Sequence, residues 1–448
     1  MLDPGIPGTG TISHAAGRNR SLRAICKGSV RRPPQMRKPE ATTAPMRQKY
    51  ALQTIAAVLL TSSAATARAE QGPSEIDVSP YERNIATIER DGGALDYRLS
   101  EQFLSVGLAY RANGETGEAI EAFQQALHVN RINKGLHHLV HIPIVDLLIE
   151  TYATVGDWQA VDQHQRFRFW IHRREVDAHS DEFVDAAMTF AAWETRAHDL
   201  DTGVATYRKL RDAIEALDDA LGTISDRGTE DDPRLVRILN SQAQAHLNLA
   251  MYVGNTEEDI ATGGQRMGED FGDIIERRNL IIESFISGKQ ALERVVALTN
   301  NPEQEIEHGL ALANLADWEL VFDRPQSSDE NYRDAYRMLK AAGLSEDELA
   351  LEFGTPRAMK YFSVERRSPI PENDTAPANA YVAASFKVTK SGKVRSIEVT
   401  AANPPDNTRM LREARATLRN SRFRPSIGDD GPFEDAMTIR YVFPDVSI

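Results

Sequence analysis

Residues 100–133 read SEQFLSVGLAYRANGETGEAIEAFQQALHVNRIN, and the spacing inside this stretch decides the fold. Phe103, Val106, Gly107 and Tyr110 recur at offsets of three and four, which places them on one face of a helix. Ala112-Asn113-Gly114-Glu115 interrupts that helix, because glycine and asparagine favour turns over helix interiors. Ala119, Phe123 and Ala126 then mark the facing side of a second helix. The small residues permit a close approach of the two helices, while the aromatics fill the space between them.

The order large, small, aromatic, turn glycine, alanine, aromatic, alanine resembles a tetratricopeptide repeat, a helix–turn–helix unit. Phe103, Gly107, Tyr110, Gly114, Ala119, Phe123 and Ala126 stand in its register; the proline usual near the repeat's end is replaced by Arg131. A second unit follows with Val145, Leu148, Tyr152, Gly156 and Val161. Its Tyr152 and Gly156 each lie 42 residues beyond Tyr110 and Gly114, so the register survives an insertion. The second half of this unit is degenerate, with Gln165 and Arg168 in the aromatic and alanine places. Helical periodicity continues over Phe183–Ala197, Asp201–Leu221, Pro233–Tyr252 and Gly272–Leu298, with a flexible insertion expected from Gly254 to Gly268. A last pair, Ile306–Phe322 and Asn331–Ala342, is expected to face across Arg324-Pro325-Gln326-Ser327-Ser328. The resemblance implies a scaffold that binds peptides or partner proteins, with no catalytic residues.

After a Pro-rich linker the periodicity changes. Val382, Ala384, Phe386 and Val388 alternate with polar or small neighbours, as in a half-buried strand. Ser391-Gly392-Lys393 turns the chain into a second strand, Val394–Thr400. Asp406–Leu418 is expected to be a helix with Leu411, Ala414 and Leu418 on one side. Phe423-Arg424-Pro425 and an acidic turn precede a last alternating strand, Met437, Ile439, Tyr441 and Phe443. This hairpin, helix and returning strand resemble the TonB C-terminal domain, most specifically in Phe423-Arg424-Pro425 just after the helix. The resemblance implies binding by strand addition, with Met437, Ile439, Tyr441 and Phe443 forming the candidate partner-binding edge. The expected fold is therefore mainly α: a tetratricopeptide-like helical solenoid over residues 80–362, a linker over 363–377, and a small α+β TonB-like domain over 378–448.

The N-terminal part reads differently. Residues 1–45 are basic, rich in Pro, Gly and Ser, and lack hydrophobic periodicity, which marks them as disordered and as an over-long gene start. Residues 46–69 combine a basic start, the apolar run Ile55–Leu60 and small residues ending in Ala67-Arg68-Ala69, the pattern of a cleavable signal peptide. Export would place the mature chain in a periplasm; an uncleaved segment would instead anchor it in the inner membrane, as TonB is anchored. Residues 1–69 also hold the chain's one cysteine, Cys26, so the remainder can form no disulfide. Without that segment the chain carries 41 basic and 64 acidic residues, an excess that disfavours nucleic acid as a partner. Expected partners are envelope proteins or peptides, among them an outer-membrane receptor.

Chemistry is sparse. His137, His138 and His141 cluster, and on a helix His137 and His141 would share a face, but no carboxylate accompanies them and ordinary connector histidines are the expectation. Asp429-Asp430-Gly431 lacks the alternate-ligand spacing of a calcium loop. No serine-hydrolase, zinc-protease, phosphate-loop or dinucleotide motif occurs, so neither a cofactor nor a small-molecule substrate is expected.

Overall fold

A computed structural model describes residues 76–200, 202, 204–229, 231–261, 274–359 and 380–443. The two N-terminal segments, the linker and the expected insertion from residue 262 onward lie outside these residues. Twelve helices precede the sheet among the described residues: α1 Ser79–Gly92, α2 Arg98–Asn113, α3 Thr116–Lys134, α4 Ile142–Thr154, α5 Trp158–Glu175, α6 Asp181–Arg196, α7 Thr206–Asp226, α8 Leu235–Ala261, α9 Ile274–Thr299, α10 Glu305–Val321, α11 Pro325–Ala341 and α12 Glu346–Phe353. From α2 to α11 they form five pairs. Each pair packs on the next through chain neighbours, α3 on α4, α5 on α6, α7 on α8 and α9 on α10. Such nearest-neighbour packing is the signature of a repeat solenoid.

The first pair shows why the quoted sequence folds this way. Phe123 is fully buried, and a Cβ added at Gly107 would sit 2.6 Å from its ring, so only glycine lets α2 and α3 meet here. Gly114 takes a left-handed φ of 82°, and its amide bonds back to the last turn of α2. Ala119 and Ala126 have no exposed surface. Tyr110 donates to Glu82 of α1 at 3.0 Å, and Gln124 donates to Tyr152 at 2.6 Å, which ties the repeat to both neighbours.

Two boundaries and two further helices depart from the sequence reading. Helix α8 runs on to Ala261, through the expected start of the insertion at Gly254. Buried Leu249 and Val253 pack the turn that leads into Gly254, and one helical glycine costs only roughly 1 kcal/mol. Helix α11 begins at Pro325, inside the stretch read as a turn, because proline suits the first helical position. Helices α1 and α12 were not anticipated, although Ser345 and Glu348 form a full capping box that starts α12.

The C-terminal part contains β1 Arg357–Ala358, β2 Ala380–Val388, β3 Val394–Asn403, α13 Thr408–Asn420, β4 Phe423–Arg424, β5 Ser426–Gly428, β6 Gly431–Phe433 and β7 Asp435–Phe443. The main sheet has the order β3-β2-β7 and is antiparallel throughout. As the alternation predicts, Val382, Ala384, Phe386 and Val388 are buried. The buried stripe of α13 is Met410, Ala414 and Leu418; Leu411, expected to lead it, is only partly buried.

This part is built into the end of the helical body. Strand β4 pairs with β1, directly after α12. The β5–β6 hairpin packs on α11, and Ile427 joins the core formed by Trp318, Tyr332 and Phe353. Arg424 donates from Nε to Asp317 at 2.8 Å and from Nη1 to Glu352 at 2.5 Å.

Candidate functional site

Strand β7 lies at the edge of the main sheet: β2 flanks one side, and no strand flanks the other among the described residues. Its pairing with β2 is regular over nine consecutive residue pairs, from Asp435 opposite Val388 to Phe443 opposite Ala380. The opposite edge, β3, differs. Its register against β2 shifts twice, and Ser396 has a positive φ of 55°. Bulges of this kind twist an edge and blunt it for further pairing.

The four residues expected to form the partner edge have another task for their side chains. Ile439, Tyr441 and Phe443 are buried in the core under α13, and Met437 packs against the same core. Because successive strand residues point to opposite faces, the other set, Ala436, Thr438, Arg440 and Val442, projects from the second face. Ala436 and Thr438 are exposed, while the Arg440 guanidinium lies 3.6 Å from the centre of the Tyr381 ring. What β7 offers a partner is therefore its outward backbone, with the expected side chains acting as anchors.

The repeat-signature residues sit together in α2 to α5 as packing and turn residues. Gly156 has φ 73° and ends α4, and the Asp157 side chain accepts the Ala160 amide at 3.0 Å to start α5. The histidines do not share a helix face. His141 ends a short 3-10 turn with Nε2 2.7 Å from the Gly135 carbonyl; His138 accepts the Val140 amide, and His137 packs edge-on against Trp170. Asp429 of the acidic turn is engaged by Lys340 at 2.7 Å.

Two features escaped the sequence reading. The first is a buried charge cluster where α5, α6 and α7 meet. Lys209, with no exposed side-chain surface, donates to Asp162 at 2.5 Å, and Trp193 donates to the same oxygen at 2.9 Å. Arg166 reaches Asp162 and Glu194 at 2.9 Å and Asp212 at 2.5 Å. Burial pushes Glu194 up to about 7, against the pull of Arg166 and Lys209. Burial acts on Asp162 in the same sense, but hydrogen bonds from Lys209, Trp193 and Arg166 outweigh it and hold its carboxyl below the usual range. Three carboxyls facing two cations explain why one of them keeps its proton most readily. Lys209, Asp162 and Glu194 are buried in the helix array, while Arg166 and Asp212 keep 28% and 29% side-chain exposure and form the cluster's outer side.

The second is a groove of about 710 Å³ where the start of α8, the end of α9 and the first half of α10 meet. Its floor is apolar, with Leu235, Val295, Leu298 and Leu310. Its rim carries carboxylates and carboxamides. No short motif marks it, since its α8 wall, Asp231 to Asn240, lies far upstream in the chain of the wall running from Val295 to Asn314.

No family model matches the chain, and no curated protein matches it in sequence. Among solved structures, a putative kinesin light chain from Podosopora anserina with nearly identical TPR-like repeats is 14% identical, with a TM-score of 0.35. The match covers 56% of this chain and 98% of that one. BtubC from P. vanneervenii is also 14% identical, covering 60% of this chain and 92% of that chain, with a TM-score of 0.31. At these values neither likeness bears on function. The chain is a mainly α protein, a tetratricopeptide-like array of helix pairs closed at its C-terminal end by a small antiparallel sheet and one helix.

Proposed function

We propose that this chain is a non-catalytic protein-binding scaffold of the bacterial envelope, whose C-terminal sheet takes up an extended partner segment along β7. The observation that carries this reading is the contrast between the two sheet edges. Strand β7 is regular over its whole length and has no strand on its outer side among the described residues, whereas β3 is bulged. A straight edge that no further strand covers is a template for strand addition. The resemblance of the C-terminal part to TonB points the same way and names an outer-membrane receptor as the partner class. The signal pattern of residues 46–69 supports a periplasmic location.

A photo-cross-linking amino acid at exposed Thr438 on β7, compared with exposed Glu398 on β3, tests the proposal in an envelope fraction. Adducts to an outer-membrane protein are expected from position 438 alone and should vanish when Ala436→Lys is added to block the edge. Equal adducts from both edges, or none from β7, would overturn strand addition. Release of the natural protein in the soluble periplasmic fraction is expected; retention in the inner membrane would favour an anchored transducer of the TonB type instead.

A further inference from the structure

We infer that the groove between α8, α9 and α10 is a second binding site, for an extended cationic peptide segment of a partner protein. Three acidic residues, Asp231, Glu303 and Glu307, stand on its rim and are exposed. None of them makes an ion pair among the described residues. Their neighbour Asp232 is neutralised by Arg234 at 2.7 Å, and that same arginine also engages Asp181 and Asp185. The local arginine is thus spent on carboxylates beside the groove, and those on the rim are left facing solvent. Negative charge in the first turn of α10 favours that helix, which accounts for Glu307, but Asp231 and Glu303 precede their helices.

The remaining lining fits a peptide better than a small cation or an anion. Asn240 and Asn314 reach the groove from α8 and α10. A carboxamide both donates and accepts, so it can satisfy the amide and carbonyl of an extended backbone whatever its sequence. The apolar floor suits the aliphatic stems of lysine and arginine, whose charged ends would reach the acidic rim. No three of the described His, Cys, Asp and Glu side chains lie where one metal ion could be held. Nucleic acid is excluded by like charge. A volume of about 710 Å³ is that of a ligand-sized cleft, enough for a few residues of extended chain.

The test uses the full chain and a fluorescein-labelled octapeptide, Lys-Leu-Lys-Ala-Lys-Leu-Lys-Gly, with its glutamate-for-lysine counterpart, read by fluorescence anisotropy. The cationic peptide is expected to bind, more weakly as salt rises, and the anionic one is not. The double variant Glu303→Lys/Glu307→Lys should weaken binding roughly tenfold or more. Glu118→Lys/Glu121→Lys, on the exposed face of α3, has the same net charge and should stay within about twofold of the native chain. Blocking β7 with Ala436→Lys should leave peptide binding intact, which separates this site from the sheet edge. Absence of binding, its survival in Glu303→Lys/Glu307→Lys, or an equal loss in both charge-reversed pairs would overturn the assignment. Circular dichroism confirms that each variant is folded before it is scored.

Discussion

Arg424 ties the sheet to the helical body, and replacing it with methionine measures how much that tie contributes. Its side chain is 4% exposed, and the guanidinium grips Asp317 through two nitrogens and Glu352 through a third. Asp317 also accepts the Tyr332 hydroxyl at 2.6 Å. In Arg424→Met the two carboxylates lose their shared cation while keeping most of their burial, at 22% and 30% side-chain exposure. Removing one partner from a fully buried pair costs about 3–5 kcal/mol; the residual solvation of these carboxylates places the cost near the lower figure, about 3 kcal/mol. Methionine keeps much of the side-chain volume, so the loss reports charge and not a cavity. Urea unfolding followed by tryptophan fluorescence suits the measurement, since all four tryptophans are in the helical part and Trp318 adjoins Asp317 in sequence. The double variant Asp317→Asn/Arg424→Met completes a cycle with an expected coupling of about 2 kcal/mol. A loss below about 1 kcal/mol together with coupling near zero would refute the view that this pair fastens the sheet to α10 and α12.

Glu194 makes stability depend on pH. Its folded value of about 7 lies above the ordinary 4.5, so its favourable contribution is complete below about 4.5 and lost as pH rises through 7. Glu194→Gln should remove a decline of about 3 kcal/mol across that window; urea midpoints that fall in parallel for both proteins would contradict this. Lys209→Met should destabilise by about 3 kcal/mol or more at pH 7 by leaving Asp162 without its closest cation, and a calorimetric midpoint equal to the native one would count against it. Gly288→Ala places a methyl 2.1 Å from the Trp318 ring and should cost about 1–3 kcal/mol, whereas Gly222→Ala, with open space around it on α7, should stabilise by about 0.5–1 kcal/mol. Thermal melts of the two that move the same way would show the close approach of α9 and α10 to be misread.

The parts of the fold legible in sequence are those set by local spacing. Phe103 to Ala126 announce α2 and α3 because small and aromatic residues recur at helical intervals, and Val382 to Val388 announce β2 because their alternation has a period of two. The parts missed are those where a local signal points two ways. Gly254 and Pro325 are breakers in isolation; within the fold one is carried inside a packed helix and the other starts one. Ser345 and Glu348 did carry a readable start signal for α12. The candidate sites were less legible. Arg424 could be read as part of a strand motif, but its partners lie 107 and 72 residues upstream. The Lys209–Asp162 pair spans 47 residues, and the groove draws on three helices. The outward strand β7 was legible as a strand; that its named side chains face inward follows from α13 covering that side of the sheet.

The attachment of the sheet also settles how a pull would be felt. Strand β7 begins at Asp435, which accepts the Ser426 hydroxyl at 2.8 Å, and Ser426 follows within two residues of Arg424. Tension applied along β7 by a bound partner would reach the helices through this short path of side-chain bonds, bypassing the Pro-rich linker. The load would be shared in shear by the nine-residue pairing with β2 and by the guanidinium grip on α10 and α12. A partner tugging on the sheet would therefore pull directly on α10 and α12 through the Arg424 guanidinium.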